Sequence, residues 1–370
     1  MAQRLHIVGR FPPPRDGQTI FTQCLSDLLR DEFDVRNFST SHLGTDLQPK
    51  GAARIGGTAL HYLRLQPRLR QALADLAPVI WCSISSQMLG HWRDLMTVVP
   101  CFNPGQKIVA SIHWGNFSNV FARHLTGPTA RRLMRRIDRY VIQSASLAET
   151  LTDWIPADKL RVIPNYVPPC ATKKDLSAKV QSDAAGRSLR VLYLSNMIAE
   201  KGYLDVLEAV ALARQQGLVV EADFAGRWNS QTDADAFAGR IKALGLGGLV
   251  RAHGPIADRQ RVQALFLAAD VFVLPTYYPV EAQPMTIIEA LSAGTPVIVT
   301  RHASIEEMVR EGREALFVAP KCPEEIVQAL RTLIQRNTWR AFSGQARQRY
   351  ENHFGESIVR KKWTDLIAEL

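Results

Sequence analysis

A chain of 370 residues, 46% hydrophobic and 22% charged, is longer than one hydrophobic core usually serves and too apolar to be disordered, so two domains are expected. No apolar run reaches the roughly 18–20 residues of a membrane-spanning helix, and Met1–Gly9 lacks the apolar stretch of a signal peptide, which places the chain in the cytoplasm. The five cysteines (Cys24, Cys82, Cys101, Cys170, Cys322) are scattered without a C-x-x-C pair, which argues against a disulfide framework and a zinc site, while most of the net charge of +10 lies in the first half.

Residues 1–166 hold 20 Lys+Arg against 12 Asp+Glu, and the remainder holds 25 against 23. That excess is either an ordinary solvated surface or a face turned toward membrane lipid, a phosphorylated acceptor or nucleic acid. No nucleic-acid-reading module accompanies it, so nucleic acid is not expected as a partner.

The chain opens on a strand, Arg4–Gly9, that runs into Arg10-Phe11-Pro12-Pro13-Pro14-Arg15-Asp16-Gly17, a stiff proline bend ahead of a helix over Thr19–Leu29. Gly17 would let a backbone amide approach a diphosphate at the helix start, and Arg10 and Arg15 are candidate ligands for phosphate or an acidic acceptor. Strands follow at Val35–Ser39, Val79–Ser83, Lys107–His113, Arg139–Gln143 and Leu160–Ile163, with helical patterns between them, among them 59–76 and Thr129–Ile137. These two helical stretches and the residues just after them concentrate Arg64, Arg68, Arg70, Arg131, Arg132, Arg135, Arg136 and Arg139. The second alternates them with Leu133, Met134 and Ile137, so a helix there has a cationic face able to rest on anionic lipid. His113-Trp114-Gly115-Asn116 closes the fourth strand, where a histidine is either packed or turned to a ligand.

A polar segment at 167–188, rich in Pro, Lys, Asp and Ser, reads as the linker between a first domain at 1–166 and a second at 189–337. The rhythm then restarts with strands Leu189–Leu194, Val219–Ala225, Leu249–His253, Val271–Leu274, Pro296–Val299 and Ala315–Val318. Alternating strands and helices in both halves imply two doubly wound, Rossmann-like α/β domains, with ligands at the carboxyl ends of the strands and a cleft between them. Residues 338–370 read as terminal helices whose aromatics (Trp339, Phe342, Tyr350, Phe354, Trp363) need apolar cover, so a return to the first domain is expected.

Two segments of the second half carry chemistry. Leu194-Ser195-Asn196-Met197-Ile198-Ala199-Glu200-Lys201-Gly202 follows its first strand and offers Lys201 as a point charge for phosphate. Further on, Glu281-Ala282-Gln283-Pro284-Met285-Thr286-Ile287-Ile288-Glu289 leads from a strand into a short helix closed by Gly294 and Pro296. Pro284 suits the first helical turn, and the amides around Gln283–Thr286 with the positive helix end form an anion site. Two carboxylates flanking such a site would repel phosphate, so their sensible role is to accept hydrogen bonds from hydroxyls on either side of a diphosphate.

That stretch resembles the Glu-x7-Glu signature of the retaining family 4 glycosyltransferases, part of the glycosyl transferases group 1, which share the GT-B fold. The resemblance implies that Glu281 contacts the donor sugar, that Glu289 contacts the ribose hydroxyls, and that Gln283, Met285 and Thr286 hold phosphate, with Pro284 giving shape. The segment at Lys201 is similar to the family's G-R-x-x-x-x-K-G pattern, with Ser195 and Asn196 where Gly and Arg are usual. One positive charge is therefore missing, to be replaced by a neutral hydrogen bond from Asn196 or by Arg227. By the same likeness Gly254 lies near the base, Gly17 belongs to the N-terminal glycine loop, and His113 lines the donor-sugar pocket.

The implied activity is retaining transfer of a sugar from a nucleotide diphosphate donor to an acceptor, a lipid-linked or polysaccharide-precursor glycan at the inner face of the membrane. Lys201, His113 and Glu281 would be the catalytic group, with no cofactor and no metal. Two alternatives share the fold, a nucleotide-sugar epimerase and a catalytically inactive binding subunit. A metal-dependent transferase is suggested only by Asp233-Ala234-Asp235, which follows Ser230 as a helix cap would.

Overall fold

The computed structural model describes residues 2–13, 15–41, 61, 64–181 and 188–370, so Pro14 and residues 59, 60, 62 and 63 of the expected second helix fall outside it. The chain divides into two compact units, residues 1–166 with 356–370, and residues 167–355.

The first unit runs β1 (Arg4–Gly9), α1 (Gly17–Leu29), β2 (Asp34–Ser39), α2 (64–72), β3 (Val79–Trp81), α3 (Met88–Thr97), β4 (Ile108–Ser111), α4 (Asn119–Ala122), α5 (Gly127–Arg136), β5 (Arg139–Ile142), α6 (Ala145–Glu149) and β6 (Leu160–Val162). Its six strands form one sheet in the order β2-β1-β3-β4-β5-β6, with every pairing parallel. Parallel pairing demands crossover helices, so both faces are covered, and β3 and β4 are buried along their length and apolar except for Ser111 at the end of β4.

The second unit continues with α7 (Lys173–Gln181), β7 (Leu189–Leu194), α8 (Tyr203–Gln215), β8 (Val220–Ala225), α9 (Gln231–Ala243), β9 (Val250–Gly254), α10 (Arg259–Ala268), β10 (Val271–Leu274), α11 (Met285–Ser292), β11 (Val297–Val299), α12 (Ile305–Met308), β12 (Ala315–Phe317), α13 (Pro323–Leu333) and α14 (Arg336–His353). Its sheet has the order β12-β11-β10-β7-β8-β9 and is again wholly parallel. In this order β8 and β9 spread to one side of β7, and β10, β11 and β12 to the other. The direction of winding therefore reverses between β7 and β10, the point at which doubly wound sheets open a crevice at their carboxyl ends.

Two expected boundaries change. Of the expected linker 167–188, residues 167–181 are not free, because Val167, Cys170 and Ala171 are buried in the second core and α7 seals it with Lys179, while 182–187 lie outside the described residues. The Lys179 ammonium is satisfied by the carbonyls of Phe266 and Ala293 and the Thr295 hydroxyl at 2.6 Å. The terminal helices also do not move as a pair. Helix α14 buries Trp339, Phe342 and Tyr350 in the second unit, whereas α15 (Glu356–Ala368) belongs to the first and buries Trp363 there. Arg360 of α15 fastens that return through the Leu28 carbonyl at 3.0 Å and Asp31 at 2.9 Å.

Candidate active site

Strand β7 ends in Ser195–Gly202, and two glycines bring that loop against its neighbours. Gly226, after β8, sits so close to the Ser195 carbonyl that a Cβ there would lie 1.7 Å from its oxygen. Gly202 has φ +78° and no room for a side chain, since a Cβ would meet Pro275 at 2.6 Å. The Glu200 carbonyl then accepts the Tyr277 amide at 2.7 Å, tying the β7 loop to the β10 loop. This tie places Lys201 at the winding reversal.

There Lys201 Nζ stands 3.1 Å from Glu281 Oε2, and 5.3 Å from the Tyr278 ring centre. Both partners are largely buried, and the Thr276 hydroxyl donates to the same carboxylate oxygen at 3.3 Å. Helix α11 begins at Met285, so Pro284 is its N-cap residue and stands just before the first turn instead of within it, and its side chain offers no cap hydrogen bond. The N-cap side chain therefore does not compete for the positive end of α11, as an anion site there requires. Its flanks are fully buried through Ile287, Ile288, Ala290 and Leu291, each large side chain of which contributes roughly 1.5–3 kcal/mol by leaving water, so the helix is rigidly seated.

Glu289, one turn into α11, is buried and ion-paired to Arg259. Burial raises the Glu289 pKa, while the guanidinium works against that rise. Arg259 opens α10 behind the Asp258 cap and also donates to the Pro168 carbonyl at 3.2 Å. It is the residue that sequence reading missed. Asn196 and Arg227 are both exposed, and Arg227 has no ion pair among the described residues, so either is free to meet a ligand. Gly254, at the end of β9 with φ +64°, borders open space.

Asp233 and Asp235 sit in the first turns of α9. Ser230 accepts the Asp233 amide and Asp235 accepts from Gln231 at 2.9 Å, the arrangement of a capped helix start.

The remaining expected residues lie in the first unit. Asp16 caps α1, accepting the Thr19 amide at 3.0 Å, and Arg10 is drawn to it at 2.8 Å. A carboxylate therefore already faces the helix start beside Gly17. Gly17 itself is exposed with open space where a Cβ would point, and Arg15 is exposed without an ion pair among the described residues. His113 lies just beyond β4, 2.9 Å from the Ser111 hydroxyl, with its ring against Phe21 at 3.9 Å. Burial pushes its pKa down to about 3, so the imidazole is neutral at ordinary pH and serves as a hydrogen-bonding group.

Of the arginines expected to form a cationic face, Arg136 is half-buried and Arg131, though exposed, is tied to a backbone carbonyl. Arg131 reaches the Phe121 carbonyl at 3.3 Å, and Arg136 the carbonyls of Gln106 and Asn103. Arg139 lies 3.8 Å from Glu369. Among the described residues no helix is long and apolar enough to cross a membrane.

The family model described as glycosyl transferases group 1 matches residues 177–352. Mannosylfructose-phosphate synthase of Agrobacterium fabrum is 40% identical over 87 residues, 24% of this chain and 18% of that protein. A putative colanic acid biosynthesis glycosyltransferase of Escherichia coli, WcaL, is 23% identical over 195 residues, 50% of this chain and 47% of that one. The matches thus span about half or less of these relatives' lengths. Among solved structures, Anabaena HepE in complex with UDP and glucose aligns over 100% of both chains with a TM-score of 0.71 at 17% identity, a likeness of fold. The fold is α/β of the GT-B type, as the resemblance implied.

Proposed function

With residues 177–352 belonging to the glycosyl transferases group 1 family, we propose that the chain moves a sugar from a nucleotide diphosphate donor to a lipid-linked or polysaccharide-precursor glycan, with retention and without a metal. The observation that carries this reading is the pair of salt-bridged carboxylates, Glu281 with Lys201 and Glu289 with Arg259, on either side of the uncapped start of α11. A positive helix end between two buried carboxylates is the complement of an anion with hydroxyl groups on both sides, which is the plan of ribose, diphosphate and sugar.

On this reading Lys201 and the amides at Gln283–Thr286 take up the charge of the departing diphosphate, the task a divalent cation performs elsewhere. Glu289 accepts from ribose and Glu281 from the sugar. Retention rests on the likeness of Glu281-x7-Glu289 to family 4, with the acceptor guided to the face that the leaving phosphate vacates. The UDP in HepE supports a nucleoside diphosphate, and the naming of WcaL for colanic acid biosynthesis supports a polysaccharide precursor. Neutral His113 would donate to or accept from a sugar hydroxyl, and Gly254 would border the base. Arg15 and Arg227 are the cations left for phosphate or an acidic acceptor, with Asn196 as a neutral donor.

Thermal unfolding in the presence of nucleoside diphosphates and their sugars tests the proposal. At least one should raise the melting temperature of the wild type in EDTA and leave Glu289→Gln little changed. No shift with any of them, or an equal shift in the variant, would contradict it.

A further inference from the structure

Helix α3 buries His91 and Asp94 on one side and turns Leu89, Trp92 and Met96 to solvent on the other. These three stand at i, i+3 and i+7, one stripe of a helix, with Leu89 78% and Met96 64% exposed. Single exposed apolar residues need no explanation, but a stripe along a helix does.

Its neighbours are specified by the topology. Helices α2, α3 and α5 lie on the connections from β2 to β3, from β3 to β4 and from β4 to β5, so right-handed crossovers set them side by side on one face of the sheet with α3 in the middle. Hydrogen bonds agree. Gln66 of α2 donates to the Met96 carbonyl at 2.6 Å, and His91 of α3 meets the Thr129 hydroxyl of α5 at 2.9 Å. Exposed Arg64 and Arg68 on α2, and exposed Arg132 and Arg135 on α5, therefore border the apolar stripe from two sides. None of the four has a carboxylate partner among the described residues, and neither 64–74 nor 127–137 contains an acidic residue.

We propose that this ridge docks on an anionic lipid bilayer, Leu89, Trp92 and Met96 entering the boundary between headgroups and acyl chains while the four arginines meet lipid phosphates. This partner rests on the reading above that the acceptor is lipid-linked. A tryptophan between two aliphatic side chains suits that boundary, where one ring edge is apolar and the other wet. A second copy of the chain fits less well, because a two-fold contact through this face would set arginine rows against one another.

The test is flotation with phosphatidylcholine vesicles, with and without phosphatidylglycerol, at low and high salt and without nucleotide sugar. Wild type should float with the anionic vesicles at least about tenfold more than with neutral ones, and high salt should reduce it. Leu89→Asp combined with Met96→Asp, both exposed, should cut flotation by about tenfold or more at unchanged melting temperature. Tryptophan emission should be quenched by brominated lipid, and Trp92→Phe should remove most of that quenching. Equal recovery with both vesicles, no recovery, flotation undiminished by the double substitution, quenching unaffected by Trp92→Phe, or a dimer that the double substitution dissociates would each overturn the proposal. Thermal shifts by nucleoside diphosphates on the same samples report donor binding separately, so a failure to dock is distinguishable from a failure of the transferase reading.

Discussion

Lys201 and Glu281 neutralise each other at 3.1 Å, and Glu289 leans on Arg259 in the same way. Buried charges are tolerated when paired, so each cation offsets part of the cost of burying its carboxylate and holds it in one orientation. Glu289→Gln preserves the shape of the side chain but loses the charge that a ribose hydroxyl would donate to. We expect turnover to fall about 10- to 100-fold, the loss of one charge-assisted hydrogen bond, with little change in melting temperature. Steady-state kinetics beside a melting curve checks this. Lys201→Ala should cost at least as much, because it strips the diphosphate of its cation and leaves Glu281 without a counter-charge.

Glu281, Glu289 and Lys201 were legible in the sequence because each lies within one short strand-loop-helix segment. Arg259 was not. It lies 30 positions before Glu289 and is brought there by the packing of α10, and in the sequence it looks no different from the exposed Arg261 two residues on.

At His113 the consequence is acid sensitivity. Its pKa falls from an ordinary value of 6.5 to about 3 in the folded state, so the unfolded chain binds the extra proton throughout that window. The histidine's contribution to stability is therefore complete above pH 6.5 and is lost as pH falls toward 3, by up to about 1.4 kcal/mol per pH unit. Asp94 acts in the opposite sense, its carboxyl raised by burial to about 6, so the bare profile of the wild type mixes the two. Urea unfolding of wild type and His113→Gln at pH 7 and pH 4.5 separates them, and the variant should lose less stability on acidification.

Among elements, the loop from β7 to α8 depends most on a single residue. Gly202 combines a left-handed backbone with an approach to Pro275 that excludes a side chain. Gly202→Ala should destabilise the protein by about 1–3 kcal/mol and push Lys201 away from Glu281, weakening nucleoside diphosphate binding by more than tenfold in calorimetry. The sequence displayed this glycine next to a lysine but not why it is needed, because the reason is a contact with a loop more than seventy residues away. Helix α3 was invisible for a related reason. Its apolar residues look like core positions in the sequence, and only the structure turns Leu89, Trp92 and Met96 outward.

For the whole molecule, the twelve strands of the described residues were legible, the central ones as short buried apolar runs and the more polar edge strands such as β2 and β9 from their place in the alternation with helical patterns. Which core a helix joins was not. The aromatics of α14 and α15 announce that both helices are covered, yet periodicity says nothing about what covers them, and the two part company at Gly355. The polar composition of 167–188 likewise hid α7, whose buried lysine is satisfied by carbonyls that no local pattern reveals.

Release of nucleoside diphosphate from a panel of nucleotide sugars in EDTA, by wild type, Lys201→Ala and Glu289→Gln, tests the transferase reading most directly. The arrangement around α11 calls for release by the wild type from at least one donor, with water or an added glycan as acceptor, and for its near loss in both variants. Release that needs a restored divalent metal, or that both variants sustain at the wild-type rate, would contradict it.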